Sequence, residues 1–77
     1  MTKLRCSSDE AIRALDSLGF SHDRTTGSHA TFKKQTPGRT FVVTVVLGCK
    51  DLKPGTLSSI VRQSGVSRQD FVEALKA

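Results

Sequence analysis

The first periodic segment of the chain has the apolar spacing of an amphipathic helix. Before it, Ser7-Ser8-Asp9-Glu10 is a capping-box sequence, in which a serine hydroxyl accepts from an early amide and Glu10 reaches back. Gly19 can supply the left-handed residue after the last turn, and Phe20 can fold back on the apolar stripe. The pattern predicts a helix over residues 8–18. Its apolar positions are Ala11, Ile12, Leu15 and Leu18.

From residue 20 to residue 47 the pattern changes to β-branched and aromatic residues between turn signals. The turn signals are Thr26-Gly27 and Thr36-Pro37-Gly38. We predict strands at about residues 20–25, 28–34 and 39–47, the third being the strongest because of its run of valines. The short connections favour an antiparallel meander, in which the third strand lies at an edge.

The last part of the chain predicts two more helices. Pro54 suits a first helical turn, Leu57, Ile60 and Val61 form an apolar face, and Gly65 ends that helix. Ser67 to Asp70 is a second capping arrangement before a short helix. The apolar anchors of that helix are Phe71, Val72 and Leu75. A chain of 77 residues supports one small core, so we expect a single α+β domain over residues 1–77.

Positive charge is concentrated in the predicted sheet and the segment after it. The formal net charge is +5. Residues 24–53 hold six basic residues and one acidic residue, whereas the flanking segments nearly balance. This concentration favours phosphate binding over a merely solvated surface, and nucleic acid is the first candidate partner. The six basic residues are Arg24, Lys33, Lys34, Arg39, Lys50 and Lys53.

Composition argues against several other classes. No apolar run reaches the ~18 residues of a membrane span, and the polar start at residues 1–5 is unlike a secretory signal. We therefore expect a cytoplasmic protein without membrane association. Two cysteines are too few for a secreted disulfide scaffold, which indicates reduced thiols. Cys6, His22, His29 and Cys49 lack the paired spacing of a zinc site, so we expect no metal and no cofactor.

His29 is the strongest candidate for chemistry. In an alternating strand Ala30 and Phe32 face the helices, and His29 and Thr31 face the open side. A bulge at Gly27 would reverse that assignment, and a core histidine held by a hydrogen bond is the alternative. An exposed imidazole changes charge near neutral pH, as attack of a 2′-hydroxyl on an RNA phosphodiester requires.

The other polar candidates indicate weaker sites. The sequence does not decide on which face of the sheet His22 lies, and a structural or solvent-exposed role is favoured. Ser28 lacks a third residue that would orient a triad, which argues against a serine hydrolase. Residues 48–56 lead into a helix N-terminus, where Lys50 and Lys53 can flank a backbone nest for one phosphate. That segment lacks the Walker spacing, and a plain strand-to-helix turn is the alternative.

Several blocks of the chain resemble the HicA (YcfA-like) toxin family. The resemblance spans about residues 7–75 and implies a fold like that of double-stranded-RNA-binding domains. That fold is αβββα, with a three-stranded antiparallel sheet and both helices on one face. The blocks are Leu15-Asp16-Ser17-Leu18-Gly19-Phe20, then Gly27-Ser28-His29 with Phe32, a valine-rich strand, and Lys50-Asp51-Leu52-Lys53-Pro54-Gly55-Thr56-Leu57 with Ile60, Arg62, Gln63 and Gly65.

The resemblance also implies an activity and a partner. It implies the toxin of a type II toxin–antitoxin module, a ribosome-independent mRNA interferase that arrests translation and growth. Acid–base cleavage by His29 requires no metal, so we expect a metal-independent endoribonuclease. A HicB-type antitoxin neutralises such a toxin, and mRNA or other single-stranded RNA is its substrate. The family's catalytic histidine falls on His29, whereas Leu47 stands where many members carry a second histidine. We expect RNA contacts from Arg24, Gly27, Ser28, Lys33, Lys34, Lys50 and Lys53.

Two alternatives stay open. A non-catalytic RNA-binding module has the same fold and charge, although ordinary double-stranded-RNA-binding domains place lysines at the start of the second helix, where this chain has residues 54–57. A protein-binding adaptor would associate independently of salt, unlike an RNA binder.

Val42 and Val46 are predicted on the open face, so we expect the antitoxin to cover the His29 face or the adjoining edge.

Overall fold

The computed structural model describes residues 5–76 and contains three helices and three strands within them. Their order confirms the predicted αβββα arrangement with an additional C-terminal helix. The expectation about a secretory signal rests on residues 1–5, of which 1–4 lie outside the described residues. The elements are α1 (Ser8–Ser17), β1 (Ser21–Thr26), β2 (His29–Thr36), β3 (Arg39–Val46), α2 (Pro54–Ser64) and α3 (Arg68–Lys76).

Helix α1 begins with the predicted capping box. The Ser7 hydroxyl accepts from the Glu10 amide at 3.1 Å, and the Ser7 amide donates to the Glu10 carboxylate at 2.9 Å. These two hydrogen bonds lower the pKa of Glu10. At the other end, Gly19 has a φ of +97° and Phe20 returns to the core, its amide bonded to the Leu15 carbonyl. Both ends of α1 are therefore fixed by local sequence.

The three strands form an antiparallel meander in the order β1-β2-β3. A two-residue loop, Gly27-Ser28, joins β1 to β2, and a second, Pro37-Gly38, joins β2 to β3. The β2–β3 register is regular from His29 opposite Val46 to Thr36 opposite Arg39. The β1–β2 register shifts once, between His22 and Arg24. The strand β3 is at an edge, as predicted.

The helices cover one face of β2 and β3 and leave the other face open. Ala30, Phe32, Val43 and Val45 alternate along the two strands and are all buried. They join apolar side chains of the helices in one core. By contrast, every residue of β1 is exposed, so this strand projects beyond the helical layer.

Helix α3 completes the core although it is short. Its Phe71 is fully buried, and α3 packs against α1. Within residues 5–76, no helix has the length and apolar character needed to cross a membrane.

Candidate functional site

His29 is the first residue of β2 and lies on the open face of the sheet. Gly27, with a φ of +59°, occupies the first position of the tight loop before it. This backbone is that of a II′ hairpin turn, which keeps the strand alternation intact. His29 is exposed, and Ala30 after it is buried. The predicted exposure of His29 is thus confirmed, and Gly27 carries no bulge.

Hydroxyl groups surround His29 on the open face. Thr26 of β1 and Val46 of β3 lie directly opposite His29 in the register. Directly opposed residues share a face, with Cβ atoms about 4.5–5.5 Å apart. The next row along the sheet contains Thr31 and Thr44. Alternation had already placed Thr31 on the face of His29, whereas Thr26 and Thr44 were not identified from the sequence, because only the register between strands reveals them.

The tight loop between β1 and β2 places Arg24 on the same face as His29. His22 pairs with Phe32 and Arg24 pairs with Thr31, so Asp23 is the extra residue of β1. Thr26 lies opposite His29, and Arg24, two residues before Thr26, therefore shares its face; the bulge changes the face only of the residues before it. Arg24 is one row from His29 and is the nearest basic residue on that face in the register.

The bulge instead changes the face of His22, so that His22 and Arg24 lie on opposite faces although they are only two residues apart. His22 lies on the helix side of β1, and its ring meets the Phe32 ring edge-on at 5.5 Å between centroids. Its Nε2 is 2.7 Å from the Thr25 hydroxyl. The structure thus decides the face of His22, which the sequence had left undecided. His22 does not join His29.

The two adjacent lysines of β2 point to opposite faces. Lys33 lies on the open face, four residues from His29, which is about 13 Å along a strand. Lys34 instead donates from Nζ to the Leu18 carbonyl at the end of α1, at 2.8 Å, and lies over the Phe20 ring. The structure thus brings Lys33 but not Lys34 onto the His29 face. The RNA contact predicted for Lys34 stays a prediction.

A shallow cleft lies at the far end of the sheet from His29. It has a volume of about 290 Å³ and contains residues of β1 and β2 together with Gly19. Lys33 and Lys34 are on its rim, but Asp23 lines it too. This acidic residue reduces its value as an anion site.

The loop from β3 to α2 is held by the N-terminal segment. The Ser8 hydroxyl donates to the Val46 carbonyl and accepts from the Cys49 amide at 3.0 Å. The Leu52 amide donates to the Cys6 carbonyl at 2.9 Å. Two amides of the predicted phosphate nest are thus already bonded within the protein. The Ser8 contacts were missed because the sequence presents Ser8 only as part of a capping box.

Both loop lysines are exposed at the His29 end of the sheet. Lys53 is the N-cap residue of α2 and makes no capping hydrogen bond with its side chain, and Lys50 is also free to reach solvent. Between them Asp51 forms an ion pair with Arg5, which lowers the pKa of this carboxyl. The lysines therefore flank a carboxylate as well as the helix N-terminus.

The two cysteines are free thiols. Cys6 is buried, which raises the pKa of its thiol and keeps it protonated at neutral pH. Residues 5–76 contain no group of three or more His, Cys, Asp or Glu side chains that could hold a metal ion.

The chain was compared with known protein families once its fold and the geometry around His29 were established. Residues 8–66 match the family described as HicA toxin of bacterial toxin–antitoxin. The match runs from the start of α1 to just beyond α2 and includes His29, Arg24 and the loop before α2. No curated protein matches the chain. The match covers most of the chain, and the observed fold is the one that the resemblance implied. The protein therefore belongs to the HicA toxin family, and is a toxin of a bacterial toxin–antitoxin system with a cognate antitoxin as its partner.

Proposed function

We propose that the protein is an endoribonuclease that cleaves mRNA or other single-stranded RNA, with His29 as its acid–base residue. The observation that carries this proposal is the position of His29: exposed, on the uncovered face, among threonine hydroxyls and one row from Arg24. An RNA strand can approach this face without displacing any element of the fold. The positive charge of the sheet segment favours that approach.

The proposed reaction is a transesterification within the RNA. The His29 imidazole takes the proton of the 2′-hydroxyl while the 2′-oxygen bonds to the adjacent phosphorus. The bond between phosphorus and the 5′-oxygen breaks as the new bond forms, and the leaving 5′-oxygen takes a proton from water. The products are a 2′,3′-cyclic phosphate and a 5′-hydroxyl end. Arg24 is placed to stabilise the negative charge that develops on the phosphorus-bound oxygens.

The residue at position 47 bears on whether one histidine suffices. Leu47 is half-buried against the core, and its amide donates to the Ser28 carbonyl at 2.7 Å. By strand alternation its side chain lies on the helix side, opposite to the His29 face. Leucine here removes no group from the open face. This supports a reaction scheme in which His29 acts with Arg24 and without a second histidine.

The partner that we propose is a HicB-type antitoxin that covers the open face. Val42 is 48% exposed, and Val46 beside His29 is half-buried. Apolar side chains on an uncovered sheet face favour a protein partner there. An antitoxin in this position hides His29 from RNA and so prevents translation arrest.

The test compares the purified protein with its His29→Ala variant on an unstructured RNA in EDTA. We expect the substitution to lower the cleavage rate about 10²–10⁴-fold, the usual contribution of an acid–base residue. The His22→Ala variant is the matched control, since it removes the other histidine from the opposite side of the sheet. It should cleave at the wild-type rate. A fully 2′-deoxy strand of the same sequence should survive all three proteins.

Two outcomes would contradict the proposal. Cleavage of the deoxy strand would exclude the 2′-hydroxyl as nucleophile, and undiminished cleavage by His29→Ala would exclude His29. RNA that is bound but survives with wild-type protein would favour a non-catalytic RNA-binding module. Binding of that kind should weaken steeply as salt rises.

A further inference from the structure

The two edges of the sheet differ in their protection against strand pairing. The β1 edge carries the bulge at Asp23, and all its residues are polar or charged. The β3 edge has a regular register and no charged side chain between Arg39 and Lys50. Bulges and charges are the usual devices that prevent a further strand from adding to an edge. Only β1 has both of them.

The hydrogen bonds show which groups of β3 point outward. The Leu47 amide donates to the Ser28 carbonyl, so odd-numbered residues of β3 bond to β2. Even-numbered residues therefore present their amides and carbonyls to the free edge. Two contacts confirm this orientation: the Val46 carbonyl accepts from Ser8, and the Thr44 amide donates to the Gln63 side chain.

The remaining outward groups lie around Val42. The amides and carbonyls of Thr40 and Val42 point outward by the same alternation. Val42 is also the one large apolar side chain that is exposed within the described part of the chain. The hydrogen bond from the Thr44 amide to Gln63 Oε1 is long, at 3.4 Å, and a glutamine side chain has several rotatable bonds. It therefore protects this edge only weakly.

We propose that this edge of β3 binds an extended acidic segment of the cognate antitoxin as a fourth strand of the sheet. This inference rests on the antitoxin masking proposed above and specifies how it is achieved. Main-chain hydrogen bonds to Thr40 and Val42 provide the attachment, and an apolar residue of the added strand packs beside Val42. A strand added there continues the open face that carries His29.

Charge selects the acidic partner over a second copy of this chain. Arg39 begins β3, and Lys33 lies opposite Val42 on the open face. A second copy of β3 paired with this edge would bring only its own Arg39 and otherwise uncharged side chains. Such a strand offers no acidic partner, whereas acidic side chains on an antitoxin strand would pair with Arg39 and be attracted to Lys33 one strand away.

The first test is amide hydrogen exchange in the free toxin and in the purified toxin–antitoxin complex. The amides of Thr40 and Val42 should slow by about tenfold or more on binding, because they gain main-chain partners. The Val43 amide already bonds to β2 and should change less. If the outward amides exchange equally fast in the saturated complex, strand addition is wrong. Slow exchange in the free toxin, with a dimer detected by light scattering, would make the occupant a second copy and would also overturn the proposal.

The second test is antitoxin affinity for edge variants. Val42→Pro removes an outward amide without breaking the β2–β3 ladder, and should weaken binding about 100-fold or more. Val42→Thr keeps the amide, and its loss should stay within about tenfold. Thr25→Pro on the opposite edge is the matched control and should bind normally. Equal losses for Val42→Thr and Val42→Pro would indicate side-chain docking instead of strand pairing.

Two further measurements separate this proposal from the others. Association that does not slow as salt rises would contradict an acidic partner strand. RNA cleavage by the free toxin is assayed separately. If the free toxin does not cleave RNA but the Thr40 and Val42 amides are protected in the complex, only the nuclease proposal is refuted. If the free toxin cleaves RNA but these amides stay unprotected, only strand addition is refuted.

Discussion

At the scale of single residues, one glycine is required by both its backbone and its neighbour. Gly65 follows α2 with a φ of +74°, a conformation that other residues seldom adopt. A Cβ atom at this position would overlap the Phe41 ring. Arg39 lies over the same ring, its guanidinium carbon 4.8 Å from the ring centroid. Gly65 thus fixes how closely α2 approaches β3.

We expect Gly65→Ala to destabilise the fold by about 2–5 kcal/mol. The left-handed backbone contributes about 1–2 kcal/mol and displacement of the Phe41 ring about 1–3 kcal/mol. Gly48→Ala is the control, because Gly48 has a φ of +75° but no atom within 4 Å of a new Cβ. Gly48→Ala should lose only the about 1–2 kcal/mol that comes from the left-handed backbone. Urea unfolding of both variants measures the difference, and equal losses would show that the Phe41 contact is unimportant.

The same scale shows how far the site could be predicted from sequence. Alternation alone placed His29 on the open face, because a strand has a fixed period of two. The bulge at Asp23 could not be predicted, since β1 has no apolar positions that would reveal its register. The sequence analysis predicted RNA contacts for both Lys33 and Lys34, which are neighbours in the chain. Its long stem instead lets its ammonium reach the carbonyl end of α1.

At the scale of elements, Ser8 connects α1, the end of β3 and the following loop. Its buried hydroxyl bonds both the Val46 carbonyl and the Cys49 amide. This connection holds the strand end opposite His29 against the start of a helix. Element order, turn positions and helix caps could all be predicted from sequence because they depend on neighbours in the chain. The Ser8 connection could not, because it joins residues 38 and 41 positions apart.

Ser8→Ala should destabilise the protein by about 1–3 kcal/mol, because both partners of the hydroxyl lose a hydrogen bond in a poorly solvated place. Ser58→Ala, at an exposed position of α2, should change stability by less than about 0.5 kcal/mol. Thermal unfolding of the two variants checks this. A Ser8→Ala protein as stable as Ser58→Ala would show that water replaces the hydroxyl.

At the scale of the whole molecule, the core depends on a helix that the family match does not reach. The match ends at residue 66, and α3 begins at Arg68. Phe71 of α3 is nevertheless fully buried. A domain this small buries little apolar surface, so each large core side chain contributes a substantial share of its stability.

We expect Phe71→Ala to cost about 3–5 kcal/mol, enough to unfold much of the protein at 37 °C. The neighbouring Val72 is only half-buried, so Val72→Ala should cost clearly less. Circular dichroism with urea titration distinguishes the two. Folding of Phe71→Ala with wild-type stability would mean that α1, α2 and the sheet suffice alone.

The charge-free run of β3 has a consequence for the toxin when it is produced without its partner. Residues 40–47 are uncharged, rich in β-branched side chains and free of proline, a composition that promotes assembly into cross-β aggregates. The bulged edge and the net positive charge oppose such assembly but do not remove it. An edge kept open for one antitoxin strand is equally open to the wrong chain. The soluble fraction of the lone toxin should therefore fall as its concentration in the cell rises. Co-production of the antitoxin should restore that fraction.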